Sequence, residues 1–121
     1  MTSSDSLISV CLIVRNERQR IEALLDQLTA MMSDLYQYYE LLILDNASND
    51  GTDQLIAGKL KQMPNIRLMR LSRIYSIDTA VTAALDSAIG DYVILIDVET
   101  DLGVIPQLVE KAQQGSDIVV V

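Results

Sequence analysis

The sequence predicts an α/β protein of three layers, with helices on both faces of a mostly parallel sheet. Three observations carry that expectation. Five strand-sized apolar runs recur along the chain. Stretches with helical spacing separate each run from the next. Several runs are apolar nearly throughout, as in strands covered on both faces. Strict alternation of the two kinds of segment favours parallel strands joined by right-handed crossovers.

The elements follow in order. Leu7-Ile-Ser-Val-Cys-Leu-Ile-Val14 is the first strand. Ile21, Leu24, Leu25, Leu28, Met32 and Leu35 then step by threes and fours, one stripe on a helix. Asn16 is its expected N-cap, with Gln19 at the reciprocal position. Leu41–Leu44 is the second strand, and Leu55, Ile56, Leu60 and Met63 form a shorter stripe stopped by Pro64. Ile66–Leu71 is the third strand. The next helix carries Ile77, Val81, Ala84, Leu85 and Ala88, with Gly90 as its expected C-cap. Tyr92–Ile96 is the fourth strand. The last helix carries Ile105, Leu108, Val109 and Ala112 and ends at Gly115, and Ile118–Val121 is the fifth strand. Cys11, mid-strand, reads as a small buried hydrophobe, and the five methionines as core filler. Tyr36, Tyr38 and Tyr39 are expected to pack under the second strand.

Composition narrows the function. At 121 residues the chain is one ordinary domain, 1–121, and its 50% apolar content supports a packed core. Nine basic residues against seventeen acidic ones give a net charge of −8. That sign argues against a nucleic-acid partner and against a basic membrane-surface helix. A single cysteine forms no internal disulfide, and the absence of histidine removes Cys/His zinc sites and every Ser-His-Asp arrangement. The polar start, Met1-Thr-Ser-Ser-Asp5, has no positive n-region, so the expected location is the cytoplasm. With no export signal, the sequon Asn46-Ala-Ser48 reads as chance. The chain stops on an apolar run, which predicts that it is a piece of a longer protein.

In an open α/β sheet, ligands bind beyond the carboxyl ends of the strands, where strand order reverses. The segments after the strands are therefore the informative ones. They are Arg15-Asn16-Glu17, Asp45 to Thr52, Ser72 to Asp78, and Asp97-Val98-Glu99-Thr100-Asp101. Asp45, at a strand end, can accept hydrogen bonds from a nucleobase or sugar hydroxyl; equally, Asp45 and Asn46 can satisfy backbone donors of their own turn. Asp50-Gly51-Thr52-Asp53 reads as a turn glycine and a helix cap. Asp97, Glu99 and Asp101 lie within five residues and repel one another unless neutralised. Mg2+ or Mn2+ would relieve that repulsion and carry a diphosphate; the alternative is a solvated acidic loop in which Asp101 starts a helix. Arg15 and Arg73 are the candidate anion partners, through bidentate phosphate pairing or stacking on a base, or else plain surface ion pairs. Glu17 can serve as a first-turn acid.

These motifs resemble the inverting family-2 glycosyltransferases of GT-A type, and in particular polyprenyl-phosphate sugar transferases. Ile8-Ser-Val-Cys-Leu-Ile-Val-Arg-Asn-Glu17 is similar to that family's opening strand and Asn-Glu turn. Leu44-Asp-Asn-Ala-Ser-Asn-Asp-Gly-Thr52 is similar to its Asp-Asp-Gly-Ser-Thr-Asp-Gly-Thr loop. Leu71-Ser-Arg73 and the stretch from Ala80 to Asp91 resemble its Ser-Arg-Asn segment and following helix. Ile94-Leu-Ile-Asp-Val-Glu99 stands where the family has Asp-x-Asp.

The resemblance implies a Rossmann-like GT-A fold that binds a UDP- or GDP-sugar with Mg2+ or Mn2+. It places Ile13, Arg15 and Glu17 along the base pocket and Asp45 on the base. Arg73 joins the nucleotide site, Asp97 meets ribose and metal, and Glu99 takes the last metal-ligand position. The family's acceptor half and its general base lie downstream of Val121, so a membrane lipid acceptor would be reached only through that part. Four departures stand out. Glu99 replaces aspartate, moving its carboxylate outward by about 1.5 Å, one bond length. Arg15 stands where tyrosine is frequent, Ile74 and Ser76 replace Asn and Gly, and Thr100-Asp-Leu-Gly103 replaces Asp-Pro-Pro. The changes at Glu99, Ile74 and Ser76 keep a non-catalytic relative with a regulatory or assembly role as the rival reading. A receiver-type signalling module fits worse, because Arg15-Asn16 stands where that class needs an acidic pair.

Overall fold

A computed structural model describes residues 6–120. The polar start at residues 1–5 and the last residue of the fifth apolar run, Val121, lie outside the described residues. The chain runs β1 (Leu7–Val14), α1 (Arg18–Leu35), β2 (Tyr38–Asp45), α2 (Thr52–Leu60), β3 (Ile66–Arg70), α3 (Ile77–Ser87), β4 (Tyr92–Ile96), a 3₁₀ turn (Leu102–Val104), α4 (Ile105–Lys111) and β5 (Ile118–Val120). A wide turn at Ala112–Ser116 closes α4, and Gly115 supplies its positive φ of 128°. The five strands form one sheet in the order β3-β2-β1-β4-β5, and every pairing is parallel.

Strand alternation assigns the two faces. On one, Ile8, Val10, Leu12 and Val14 of β1 meet Ile21, Leu25, Leu28 and Met32 of α1, with Ile56 of α2 and Ile105 and Val109 of α4. Each of the four α1 side chains is fully buried, contributing on the order of 1.5–3 kcal/mol. On the other face, Ala80 and Ala84 bring α3 down onto Cys11, Leu42 and Leu44. Their small side chains allow close approach. Burial, reinforced by the Glu40 charge and opposed by Arg67, pushes the Cys11 thiol up to about 12. A thiol so rarely ionised is a poor nucleophile. Iodoacetamide is therefore expected to leave Cys11 intact in the native chain and to label it only in urea, as read by mass spectrometry.

Several expectations need correction. The N-cap of α1 is Glu17, with no side-chain cap bond. Asn16 instead adopts a left-handed φ of 54° and its amide oxygen accepts from Asn49 N–H at 2.9 Å, so a contact between loops outcompetes the local capping box. Helix α3 ends at Ser87 with Ala88 already extended, and Gly90 lies beyond the cap. Tyr38 is exposed, whereas Tyr36 and Tyr39 pack against the core. The crossovers are not of one hand. From β1 to β3 the chain steps one way across the sheet with α1 and α2 on the first face; from β4 to β5 it steps the other way with α4 on that same face. The last crossover therefore has the opposite hand to the first two. Burial of Ile105, Val109 and Ala112 on the side of Ile94, Ile96 and Val119 outweighs the usual twist preference. No described helix is long and apolar enough to cross a membrane.

Candidate functional site

The strand order reverses between β1 and β4, so the carboxyl ends of these two strands form the natural ligand crevice. Asp97 directly follows β4, and Arg15 directly follows β1. Asp45 ends β2, beside Val14. Since all strands are parallel, Asp45 and Asp97 share one edge of the sheet, two strand spacings apart, roughly 10 Å.

Hydrogen bonds between loops shape this edge. Ser48 Oγ accepts from Asn16 N–H at 2.8 Å, and Thr52 Oγ1 accepts from Glu17 N–H at 2.9 Å. Asp50 accepts from Arg18 N–H at 3.3 Å and from Thr52 N–H at 3.0 Å. Hydrogen bonds, foremost from the Thr52 hydroxyl, hold the Asp50 carboxyl below its ordinary value. The N–H of Arg18, first residue of α1, and the two N–H groups before it are thus satisfied by the β2–α2 loop and the start of α2. Farther along, the Asn46 amide donates to Tyr75 carbonyl and accepts from Tyr75 N–H, at 2.9 and 3.0 Å. These contacts fasten the β2 loop to its neighbours on both sides.

Asp45 is only 2% exposed. Its carboxylate accepts from the Ser48 hydroxyl and from Ser48 N–H, so it closes its own turn. Asp97 Oδ1 likewise accepts from Glu99 N–H at 2.9 Å and from the Thr100 hydroxyl at 3.2 Å. Glu99 reaches back to α1, where Arg20 Nη2 donates to its carboxylate at 2.8 Å. The same guanidinium grips Glu17 through Nε at 2.9 Å and Nη2 at 3.2 Å. Those two carboxylates, Glu17 foremost, push the Arg20 pKa up. Arg15 is half-buried, and its Nη1 is buried without a hydrogen-bond partner. Arg73 lies over the Tyr75 ring, 4.9 Å from its centroid. Ile13 is half-buried at the margin of the second core cluster.

Two open hollows adjoin this edge. One, about 420 Å3, is lined by Asn16–Arg20 and Asp50. The other, about 460 Å3, is lined by Arg18, Ser48–Gly51, Asp53 and Gln54. Asp45, Arg73, Asp97 and Glu99 lie outside both linings.

A family model, "Glycosyl transferase family 2", matches residues 9–121. The chain belongs to glycosyl transferase family 2. Among curated relatives, the undecaprenyl-phosphate 4-deoxy-4-formamido-L-arabinose transferase of Aeromonas hydrophila is 36% identical over 124 residues, covering 98% of this chain and 38% of the relative. The enzyme of that name from Serratia proteamaculans is 31% identical over 115 residues, covering 93% and 35%. The chain thus spans little more than a third of these relatives' length. Of solved structures, the Pyrobaculum calidifontis mannosyltransferase PcManGT in complex with GDP-Man and Mn2+ matches with a TM-score of 0.66 and 26% identity, over 74% of this chain and 26% of that one. The glucosyl-3-phosphoglycerate synthase of Mycobacterium tuberculosis, in complex with Mn2+, UDP and phosphoglyceric acid, matches in fold with a TM-score of 0.68 and 24% identity, over 93% and 40%. The fold is that of GT-A glycosyltransferases, Rossmann-like with a parallel sheet.

Whether this family-2 chain suits a divalent cation can be tested on its donors. No group of three or more Cys, Asp or Glu side chains positioned to hold a metal occurs among the described residues. A closed protein cage is therefore not built. Asp97 and Glu99 nevertheless supply two hard carboxylates in one exposed turn, the donor set by which Mg2+ is held when substrate phosphates and water complete its shell. The residues fit a cation that arrives with a diphosphate. Sequence reasoning missed Arg20. Its spacing of three from Glu17 signals that ion pair, but nothing local signals Glu99, 79 residues away.

Proposed function

We propose that this chain is the nucleotide-sugar-binding part of a cytoplasmic family-2 glycosyltransferase. The observation that carries the reading is the edge itself. Two carboxylates beyond β4 stand beside β1, after which a guanidinium nitrogen is buried without a partner. Arg15 suits a base carbonyl or a phosphate oxygen, either of which would satisfy Nη1. Asp97 and Glu99 would hold Mg2+ or Mn2+, which when bound offsets the charge of the departing diphosphate. An acceptor oxygen would attack the anomeric carbon of the sugar. The bond from that carbon to the diphosphate breaks, and the nucleoside diphosphate leaves. The curated relatives' names support a polyprenyl phosphate as acceptor, and the nucleotides in the structural neighbours support UDP or GDP as carrier.

Asp45 is 2% exposed and closes its own turn through two bonds from Ser48, so it supports base contact only by opening that turn. A regulatory, non-catalytic relative is the second reading, favoured by the occupied Glu99 carboxylate. Isothermal calorimetry with UDP and GDP tests the first. Binding is expected to require Mn2+ and to weaken by about tenfold or more in Asp97→Ala, as for loss of a metal-site group. Absence of heat with both nucleotides at every Mn2+ concentration would leave only the second reading.

A further inference from the structure

We propose that Arg20 is an internal counter-cation of the β4 loop, holding Glu99 against α1 until a divalent ion takes the carboxylate from it. The proposal rests on the metal reading above and adds a residue that sets how strongly the ion is held. A divalent ion is expected near Asp97, whose Oδ1 already accepts two hydrogen bonds from its own turn. Glu99 is therefore the adjustable ligand. Its side chain is 75% exposed and is held by Arg20 Nη2 at 2.8 Å. The opposing partner is firmly seated. Arg20 is anchored through Nε and Nη2 to Glu17, whose side chain is 19% exposed. A two-point grip on Glu17 fixes the guanidinium plane, so its bond to Glu99 loses less side-chain entropy than a free surface pair does.

The exchange adds the ion's two positive charges to the rim, which the diphosphate it carries would offset. Without a divalent ion, one guanidinium serves two carboxylates. With it, Glu99 turns to the ion and the guanidinium keeps Glu17. The released Nη2 proton donor then faces the hollow lined by Asn16, Glu17 and Arg20, where a diphosphate oxygen could accept from it. The longer side chain of Glu99 suits this double service. An aspartate there would reach less far toward α1 by about 1.5 Å.

Mn2+ binding measured by electron paramagnetic resonance, with UDP present and without, tests this on the 121-residue chain without any activity assay. The variants are Arg20→Met, Glu99→Gln and both together, with circular dichroism confirming each fold. Arg20→Met is expected to tighten Mn2+ binding roughly two- to fivefold, the range of an exposed ion pair. That gain should vanish in the Glu99→Gln background. Equal tightening in both backgrounds would mean that Arg20 acts through its general field, overturning the proposal. Unchanged affinity in Arg20→Met would overturn it too. Both results leave the metal reading standing. If no variant binds Mn2+ even with UDP, that reading falls and the proposal falls with it.

Discussion

Replacing Glu40 by alanine is expected to destabilise the chain by about 3 kcal/mol, the lower end of the range for breaking a buried ion pair. Glu40 lies in β2 and is only 5% exposed. Its carboxylate accepts from the Ser9 hydroxyl, from Ile89 N–H at 2.9 Å and from Arg67 Nε at 2.7 Å. Alanine would strand three donors at once, and of these the Ser9 hydroxyl belongs to a fully buried residue. Arg67 is 43% exposed, so water recovers part of its loss, which sets the figure at the lower end. Urea unfolding gives the value directly, and a loss under about 1 kcal/mol would show that the cluster is dispensable.

The same carboxylate makes stability depend on pH. Burial pushes its pKa up, but the hydrogen bonds from Ile89, Ser9 and Arg67 outweigh burial and hold it below the ordinary 4.5. A group depressed in the folded state stabilises above its unfolded value, and that contribution is lost as pH falls through the folded one. The wild-type chain is therefore expected to lose stability more steeply below pH 4.5 than Glu40→Gln, which has no proton to take up there. Parallel acid limbs in urea titrations of the two proteins would contradict the assignment.

Gly90→Ala is the second large effect. A Cβ at Gly90 would stand 2.5 Å from Ser9 Oγ, 2.7 Å from Ser9 N and 2.8 Å from Leu7 O. The hydroxyl can rotate away, but the two backbone atoms cannot. Gly90 N–H also donates to Ser9 Oγ at 2.8 Å, so a shift of the segment would break the link between the α3–β4 connection and β1. The expected loss is about 3 kcal/mol, the upper end for forcing extra volume into a packed region. Gly58→Ala is the matched control. It lies inside α2, and a Cβ there meets nothing within 4 Å. It should stabilise the chain by about 0.5–1 kcal/mol, as alanine does over glycine within a helix. Thermal unfolding of both variants reads the contrast, and a neutral Gly90→Ala would show that the backbone yields without cost.

The sheet and its covering helices were legible because burial imprints a period. The β1 run, Leu7–Val14, is apolar on both sides because helices cover both, and the stripe Ile21, Leu25, Leu28, Met32 is the buried line of α1. Contacts between distant loops leave no such imprint. Asn16 resembles a cap by its neighbours in sequence, yet its partners are Ser48 and Asn49. Gly90 resembles a helix stop, yet what requires glycine there is the approach of Leu7 and Ser9. The hand of the last crossover was hidden for the same reason, since the stripe on α4 shows which side is buried and not over which face of the sheet. At the candidate site, the strand-end position of Asp45 and Asp97 was readable, and so was the turn chemistry that occupies Asp45. The grip of Arg20 on Glu99 was not, because only the folded chain brings residues 79 apart together.

The fastening of the rim loops also limits how ligand preference could be re-engineered. Asn46 joins Tyr75, Ser48 joins Asn16, and Arg20 joins Glu99, so the segments after four strands are linked in series. A graft replacing one of them with a segment from another transferase would sever bonds its neighbours depend on. Transplanted loops should succeed as a matched set, and single swaps should cost stiffness across the whole rim.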